Sequence, residues 1–491
     1  MFLKSEVQIS KIISGALILG IIAFSSQANA LYVSSKTKLK IESQFELAQV
    51  NLKDATKYFI RGKQRFRQRD YQGAIADFTK VIEINPKNAE SYYNRGVARD
   101  ELKDYQGAIA DYTKAIEINP NFPEAYLNRS LARIEVKDYQ GGIADSTKAI
   151  EINPNFAQAY VNLSLARIEL KDYQAAITDS TKAIEINPNL VQAYFTRGLA
   201  RIELKDYQAA ITDSNKAIEI NPNFAQAYFT RGLARGHLKD YQAAIADYTK
   251  AIKINPNLAP AYVNRGNARS KLKDYQGTIN DSNKAIEINP NLVQAYLNRG
   301  DARIQLKDYQ AAIADYTKAI EINPNFAEAY LNRSFARFYV KDFQGGITDS
   351  TKAIEINPNF AEAYFNRGVA SRLLKDYQAA IADNTKAIEI NPNFAEAYVN
   401  RGLARIKLKD YQAGITDSTK AIEINPNLAE AYANRGDARR QLKDYQAALA
   451  DYTKAASLFK KQGRKIEAQK LLEIINQLKN LQNPKKYPTI S

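Results

Sequence analysis

The chain has 491 residues, of which 45% are hydrophobic and 25% charged, so it is long enough to bury a large apolar core. It contains no cysteine, which excludes disulfides, thiolate nucleophiles and cysteine-based metal sites. Most of the formal net charge of +16 lies in residues 31–69 and 455–491, so the nearly neutral body between them gives no support to nucleic-acid binding.

The first thirty residues have the organisation of a secretory signal peptide. Lys4 and Lys11 come before an apolar run from Ile12 to Phe24, and Ala28-Asn29-Ala30 follows it. The apolar run is shorter than the roughly 20 residues that a membrane-spanning helix needs, although an uncleaved anchor remains the alternative. We therefore expect cleavage after Ala30, export to the periplasm or extracellular envelope, and no membrane span in the mature chain.

A basic N-terminal segment, residues 31–54, separates this signal from the repeats described next. We expect its first part, residues 31–40, to be disordered. Its second part contains enough apolar residues, from Ile41 to Leu52, for a short helix that covers the first repeat.

A proline recurs every 34 residues through most of the chain. The positions are Pro86, Pro120, Pro154, Pro188, Pro222, Pro256, Pro290, Pro324, Pro358, Pro392 and Pro426. A Lys-Asp-Tyr-Gln run recurs in the same register from Lys103 onward, with Phe343 once in place of the tyrosine. Twelve units follow, starting at 55, 89, 123, 157, 191, 225, 259, 293, 327, 361, 395 and 429. A fixed period of this length indicates a solenoid of stacked supersecondary units.

Each unit has the pattern of two short helices. In residues 89–122, Tyr92, Gly96 and Arg99 have helical spacing, and the first helix should stop near Lys103. Asp104 is placed to cap the second helix. The second helix contains apolar or small residues at helical spacing, namely Ala108, Ile109, Tyr112, Ala115 and Ile116. Asn119 before Pro120 should end it, and Asn121 should cap the first helix of the next unit.

The unit resembles the tetratricopeptide repeat, and the resemblance covers residues 55–462. The characteristic places of that repeat hold Tyr92, Arg95-Gly96, Arg99, Ala108, Tyr112, Ala115 and Pro120. The resemblance, to an exported bacterial (cyanobacterial-like) type, implies an all-α, right-handed superhelical solenoid of twelve helix-turn-helix units. It also implies a concave groove that binds peptides or partner domains. The Glu90 and Tyr93 positions lack the basic residues with which some relatives grip a C-terminal carboxylate.

Two departures from the family pattern recur. Arginine replaces the usual Leu and Tyr, at the positions of Arg95 and Arg99, in nearly every unit, while Asp111 recurs in all twelve. Because a buried arginine without a partner costs several kcal/mol, we expect these arginines to pair with the aspartates. The alternative is that only their aliphatic stems pack while the guanidinium groups reach solvent. Serine replaces Tyr112 in six units, which puts tight packing of the second helices in doubt.

The C-terminal end should close the solenoid. Lys460 stands where other units have proline, so the last second helix can run on or break near Gly463. Residues 463–482 then form a capping helix, and residues 483–491 a disordered tail. Its apolar face comprises Leu471, Ile474, Ile475, Leu478 and Leu481.

The exposed side of each first helix is the candidate ligand-binding groove. Asparagine amides there can hold an extended peptide backbone, and an apolar stripe runs beside them. The candidate residues are Asn94, Leu127, Asn128, Leu131, Ile134, Val161, Asn162, Leu165, Ile168, Phe195, Leu199, Ile202, Phe229 and Leu233. The alternative is that part of this stripe packs against the neighbouring unit, since apolar stripes on helices are usually core.

The sequence offers no catalytic constellation. His237 is the only histidine and has no recurrent partner, no glycine-rich phosphate loop is present, and every carboxylate sits in a repeated position. We expect a protein-interaction scaffold that is not an enzyme, with no cofactor, metal, nucleic acid or small-molecule substrate. The alternative is a structural spacer or self-assembling envelope component without a specific peptide ligand.

Overall fold

The computed structural model describes residues 35–482, which contain helices as their only regular elements. They divide into two compact units, and the boundary along the chain lies between Ile220 and Asn221. The predicted signal peptide and the predicted tail from residue 483 lie outside the described residues.

The first unit contains ten described helices. They are α1 (Ser35–Arg67), α2 (Tyr71–Ile84), α3 (Ala89–Glu101), α4 (Tyr105–Ile118), α5 (Pro123–Glu135), α6 (Tyr139–Ile152), α7 (Ala157–Glu169), α8 (Tyr173–Ile186), α9 (Val191–Glu203) and α10 (Tyr207–Ile220). From α3 onward each odd-numbered helix is the first of a repeat and each even-numbered helix the second. Regular helix pairs confirm the predicted all-helical class.

The second unit continues the same alternation to a final extra helix. Its helices are α11 (Ala225–His237), α12 (Tyr241–Ile254), α13 (Ala259–Lys271), α14 (Tyr275–Ile288), α15 (Val293–Gln305), α16 (Tyr309–Ile322), α17 (Ala327–Tyr339), α18 (Phe343–Ile356), α19 (Ala361–Leu373), α20 (Tyr377–Ile390), α21 (Ala395–Lys407), α22 (Tyr411–Ile424), α23 (Ala429–Gln441), α24 (Tyr445–Lys461) and α25 (Lys465–Gln482).

The turn inside each repeat depends on a lysine with left-handed backbone geometry. After α3 ends at Glu101, Lys103 has a φ of 61°, and its counterparts in the other repeats, one of which is Arg69, also have positive φ. Asp104 then accepts a hydrogen bond from the backbone N–H of Gly107 at 3.0 Å and caps α4, as predicted. Glycine is the usual residue at such a left-handed helix end, so a lysine there does not signal this geometry.

The turn between repeats differs from the prediction. Asn119 ends α4, and its side-chain oxygen accepts a hydrogen bond from the backbone N–H of Asn121 at 3.2 Å. The next helix begins at Pro123, with Phe122 in the cap position and no side-chain cap. The prediction that Asn121 caps this helix is therefore wrong, because Asn121 already forms part of the preceding asparagine turn.

The N-terminal helix is longer than the sequence suggested. Helix α1 runs without a break from Ser35 to Arg67, so residues 35–40 are helical and the expected disorder there is wrong. The expected separate helix over Ile41–Leu52 is instead continuous with the first repeat helix. No proline or glycine interrupts residues 35–61, so nothing in the backbone stops the helix.

The C-terminal helix packs on the last pair. Helix α24 ends at Lys461, and Gly463 has a φ of 77°, which lets the chain turn into α25. Three of the predicted apolar residues, Leu471, Ile475 and Leu478, are buried in a cluster with Tyr452 and Phe459. Ile474 is partly buried against the same cluster. Helix α25 therefore covers the apolar surface of the last pair, as a further repeat would do elsewhere in the solenoid.

The repeats fill their interiors in two ways. In five of them an aromatic ring lies directly over the glycine of the first helix, and a Cβ on Gly96 would stand only 2.7 Å from Cε1 of Tyr112. In others two serines meet instead, as where Ser130 Oγ lies 2.6 Å from Ser146 Oγ. Ile134 then packs over the backbone of the second helix, so serine does not leave the interior of that repeat open.

Candidate functional site

Buried aspartates of the second helices each bind arginines of the first helix in the same repeat. The Asp111 carboxylate lies 2.6 Å from Nη2 of Arg95 and 2.9 Å from Nη1 of Arg99. Equivalent pairs recur from Asp77 to Asp451. The predicted pairing of the arginine and aspartate positions is therefore confirmed. The guanidinium of Arg95 is held inside the fold rather than reaching solvent, since its side chain is only 14% exposed.

The same arginines link neighbouring repeats within each unit. Nη1 of Arg95 donates to Thr79 Oγ1 of the preceding repeat at 3.0 Å, while its guanidinium lies 5.5 Å from the ring centre of Tyr92. The same contact joins Arg333 to Thr317. We missed this link in the sequence, although a threonine that recurs every 34 residues was a visible signal. These contacts give the arginines a structural role.

One repeat lacks the second arginine of this arrangement, at Ser371, and another lacks the first. Leu163 replaces the first arginine, so Asp179 is bound by Arg167 alone, at 2.7 Å. Burial raises the pKa of Asp179 to about 6, even though Arg167 acts in the opposite direction. Because the folded pKa is above the unfolded one, stability from this group is fully present below about pH 4 and is lost as pH rises through about 6.

Restoring the arginine should therefore stabilise the protein in a pH-dependent way. Leu163→Arg gives the ionised Asp179 a second partner and should lower its pKa toward the ordinary range. We expect the free energy of unfolding of the variant, relative to the parent, to rise between pH 4 and pH 7.5. Denaturant titration at both pH values measures this difference. Leu163→Met is the uncharged control, and a difference for Leu163→Arg that does not change with pH would contradict the assignment.

The predicted groove residues of the first unit are not equally accessible. Leu131 is 42% exposed. The other accessible positions are partly buried: Asn94, Leu127, Asn128, Ile134, Leu165, Ile168, Phe195 and Leu199. Val161, Asn162 and Ile202 are buried, so the expectation that they present ligand-binding surface is wrong. Val161 packs with Ala183 of the same repeat and with Ala193 of the following repeat. This part of the apolar stripe therefore packs against the neighbouring unit, which was the alternative to ligand binding.

Several asparagines of the predicted groove already bind neighbouring groups of the protein. Nδ2 of Asn162 donates to the backbone carbonyl of Leu127 at 3.1 Å, one repeat earlier. Nδ2 of Asn128 donates to the Tyr93 hydroxyl at 3.1 Å. The sequence could not indicate this use, because the carbonyl comes within reach only when two repeats stack.

In the second unit Phe229 and Leu233 are partly buried, and a more exposed aromatic cluster lies further along the chain. Phe335 and Tyr339 are 40% and 52% exposed, and the Tyr339 ring stacks on that of Tyr309 at 4.3 Å. Phe335 also borders a cleft of about 270 Å³. We did not select these aromatic residues from the sequence, although their four-residue spacing places them on one helical face.

Three buried tyrosines donate their hydroxyls to an aspartate of the first helix in the same repeat. Tyr316 donates to Asp301 at 2.7 Å, and Tyr452 donates to Asp437 at the same distance. Tyr112 donates to Asp100, and burial raises the pKa of Asp100 to about 6 while the tyrosine lowers it. Asp301 and Asp437 stand at the repeat position of Leu131, and Asp100 at that of Ile134, both of which belong to the predicted groove.

Within residues 35–482, no cluster of His, Cys, Asp or Glu has the arrangement of a metal site. In the same part of the chain, none of the helices is both long enough and apolar enough to span a bilayer.

Sequence models of three tetratricopeptide-repeat families match the chain. The first matches residues 89–122, 225–258, 293–326 and 361–394. The second matches residues 62–100 and 198–239, and the third matches 123–156, 157–190, 259–292, 395–428 and 429–462. The chain belongs to the tetratricopeptide-repeat family.

Solved structures with similar folds include other helical repeat proteins. Yeast Tom70 shares 18% identity with this tetratricopeptide-repeat protein. The match covers 89% of this chain and 98% of the Tom70 chain, with a TM-score of 0.38. Cut9 from the APC/C Cut9–Hcn1 hetero-tetramer shares 14% identity over 89% of this chain and 98% of its own, with a TM-score of 0.46. YrrB, described as having an unusual peptide-binding site, shares 23% identity over 38% of this chain and 95% of its own, with a TM-score of 0.30. A search of curated protein sequences found no match.

Proposed function

We propose that this tetratricopeptide-repeat protein is a non-enzymatic scaffold that binds segments of other proteins on the exposed faces of its first helices. The family assignment supports protein binding in general, and the solvent-facing apolar side chains support the location. We further propose that the chain is exported to the bacterial envelope, on the grounds of its N-terminal sequence.

The exposed aromatic residues of α17 are the observation that carries this proposal. The same helix buries Ala329, Ser334 and Ala336, so its packing face is already occupied. Phe335 and Tyr339 therefore contribute little to the core while they offer large apolar surfaces to solvent. Exposed aromatic side chains beside a cleft are typical of the central contacts in protein–protein interfaces.

Exposure alone does not distinguish these residues from other apolar side chains. The turn inside most repeats carries an exposed leucine, and Leu306 and Leu374 are 49% and 47% exposed. These leucines lie at the C-terminal ends of first helices, and neither of them lines the cleft that Phe335 borders. They therefore provide a matched control for apolar exposure without the proposed binding geometry.

The binding surface is tested by capturing partners from envelope extract on the immobilised mature protein. Phe335→Ser with Tyr339→Ser should reduce capture of a specific partner by roughly tenfold or more, because exposed aromatic anchors commonly contribute over 1 kcal/mol each. Leu306→Ser with Leu374→Ser should leave capture unchanged, and circular dichroism should show both variants folded. Equal capture by all three proteins would contradict the location, and no saturable capture would favour the spacer.

Export is tested separately from binding. Ala30→Gln places a large polar residue at the position before the expected cleavage site, where signal peptidases require a small one. We expect the variant to accumulate as a longer, unprocessed species in the membrane fraction, while the parent appears in the envelope and begins at Leu31. N-terminal sequencing of the purified parent gives the direct reading. An intact Met1 terminus on parent protein in the cytoplasmic fraction would contradict export.

A further inference from the structure

The cleft beside Phe335 shows how these repeats hold a carboxylate within the fold. The Tyr316 hydroxyl donates to Asp301 Oδ1 at 2.7 Å, and Nδ2 of Asn332, from the following repeat, donates to the same oxygen at 3.3 Å. Asp301, Tyr316 and Asn332 all line the cleft. A buried tyrosine of one repeat and an asparagine of the next therefore provide two donors for one carboxylate.

An equivalent cleft, two repeats earlier, has the donors but lacks the carboxylate. Tyr248 stands in the place of Tyr316, and Asn264 in the place of Asn332. Leu233 occupies the position of Asp301. Gly236 occupies the position at which Asp100 binds Tyr112 in the second repeat. Both places from which a first-helix aspartate reaches a tyrosine hydroxyl are thus without an acid.

The Tyr248 side chain is buried, yet its hydroxyl faces open space. The residue is 3% exposed, and no side chain within residues 35–482 accepts a hydrogen bond from its hydroxyl. A Cβ built on Gly236 would lie 3.7 Å from that oxygen. Burial raises the pKa of Tyr248 above its usual value, with a smaller contribution from Asp247, so the hydroxyl remains a hydrogen-bond donor at neutral pH.

The surroundings of this hydroxyl suit an anion. The cleft has a volume of about 190 Å³, which is several times the ~30 Å³ share of a water molecule and is enough for a carboxylate with its methylene group. No acidic residue lines it, whereas Lys271 and the amide side chains of Asn264 and Asn267 do. Nδ2 of Asn264 donates to the Pro260 carbonyl at 2.9 Å, so one of its two amide hydrogens remains for a ligand.

We propose that the cleft of Tyr248, Asn264 and Lys271 binds the carboxylate of an Asp or Glu side chain from a partner protein. The ligand then supplies the acid that Asp100, Asp301 and Asp437 supply in other repeats. The Tyr248 hydroxyl and the Asn264 amide donate to the carboxylate, and the Lys271 ammonium provides the compensating charge. This inference rests on the proposed scaffold function and specifies an acidic segment as the ligand at this cleft.

The full mature chain with 3-fluorotyrosine at position 248 alone provides the test. N-acetyl-aspartate methylamide is the probe, and N-acetyl-asparagine methylamide is its uncharged counterpart at matched ionic strength. We expect a saturable change in the fluorine chemical shift with the aspartate probe, half-complete at millimolar concentration, and none with the asparagine probe. A fluorine signal that responds to neither probe, or to both equally, would overturn the inference.

Substitutions at Gly236 separate carboxylate supply from simple filling of the cleft. Gly236→Asp places a carboxylate at the position of Asp100. We expect it to weaken binding of the aspartate probe at least tenfold, because the new carboxylate would accept the hydrogen bond from the Tyr248 hydroxyl. Gly236→Ala adds a Cβ at ordinary contact distance and should retain probe binding within about threefold. Unchanged probe binding in Gly236→Asp would contradict the assigned position. If the fluorine signal does not respond to the aspartate probe but a partner is still captured, only this inference is contradicted. If the probe binds but no partner is captured, carboxylate binding at the cleft is supported and the scaffold function is contradicted.

Discussion

Asp315→Ala is expected to lower the stability of its repeat by about 3 kcal/mol, because it leaves two arginines facing a buried site without an acid. The Asp315 carboxylate is 2% exposed and lies 2.6 Å from Arg299 Nη2 and 2.7 Å from Arg303 Nη1. Since neighbouring repeats unfold partly independently, hydrogen exchange of α15 and α16 measures this loss more directly than a global melting curve.

A double-mutant cycle identifies the ion pair as the cause. Arg299→Leu reproduces the natural situation at Leu163, and combined with Asp315→Ala it should show a coupling energy of about 1.5 kcal/mol or more. The control is Glu321→Ala in the same helix, which breaks the exposed Lys318–Glu321 pair and should cost less than about 0.5 kcal/mol. Equal costs for Asp315→Ala and Glu321→Ala, or a coupling energy near zero, would show that the arginine positions are held by packing alone.

Gly300→Ser is expected to destabilise its repeat by about 2 kcal/mol, because the added Cβ would stand 2.6 Å from Cε1 of Tyr316 and the ring would have to move. That movement also disturbs the hydrogen bond from the Tyr316 hydroxyl to Asp301. Gly266→Ser is the matched control, since its Cβ would meet the nearest atom at 3.4 Å and no aromatic ring lies beneath it. Hydrogen exchange of the two repeats should show a large loss only for Gly300→Ser.

The serine-containing repeats indicate how this clash can be relieved. Ser334 and Ser350 lie 2.8 Å apart at the positions of Gly300 and Tyr316. In the repeat of Tyr316, Ile304 and Ala312 stand at the places of Ile168 and Ala176, the residues found in the repeat with the serine pair Ser164 and Ser180. Gly300→Ser with Tyr316→Ser should therefore be less destabilised than the sum of the two single changes. Additive losses would show that the glycine and the aromatic ring are not coupled.

Periodicity was sufficient to predict the architecture. The 34-residue period located both helices of each repeat, the Asp104 cap and the arginine–aspartate pairs, because each depends on spacing within one repeat. The sequence was less informative wherever two repeats meet. The sequence predicted Val161 and Asn162 to be groove residues, but both are buried in the stacked repeats. The hydrogen bond from Arg95 to Thr79 likewise forms only when two repeats stack.

Departures from the repeat pattern were harder to interpret. Lys103 adopts a backbone conformation for which glycine is the usual signal, and the uninterrupted helix from Ser35 has no boundary to detect. Leu233 was selected from the sequence only as part of an apolar stripe, and Gly236 was not selected at all. Their significance emerged only when the structure placed both in the cleft of Tyr248, at positions where other repeats carry an aspartate.

Site-specific photo-crosslinking in intact cells tests the central claim, that the first helices bind partner proteins, and it does so even while the partner is unidentified. Benzoylphenylalanine is placed at Leu131 or Tyr339, on exposed faces of first helices, and at Ala110 or Ala314, which are exposed on second helices. The proposal predicts discrete, heavier adducts from Leu131 and Tyr339 after irradiation and none from the two alanine positions. Adducts of equal strength from the second helices, or none from any position, would contradict binding by the first-helix faces.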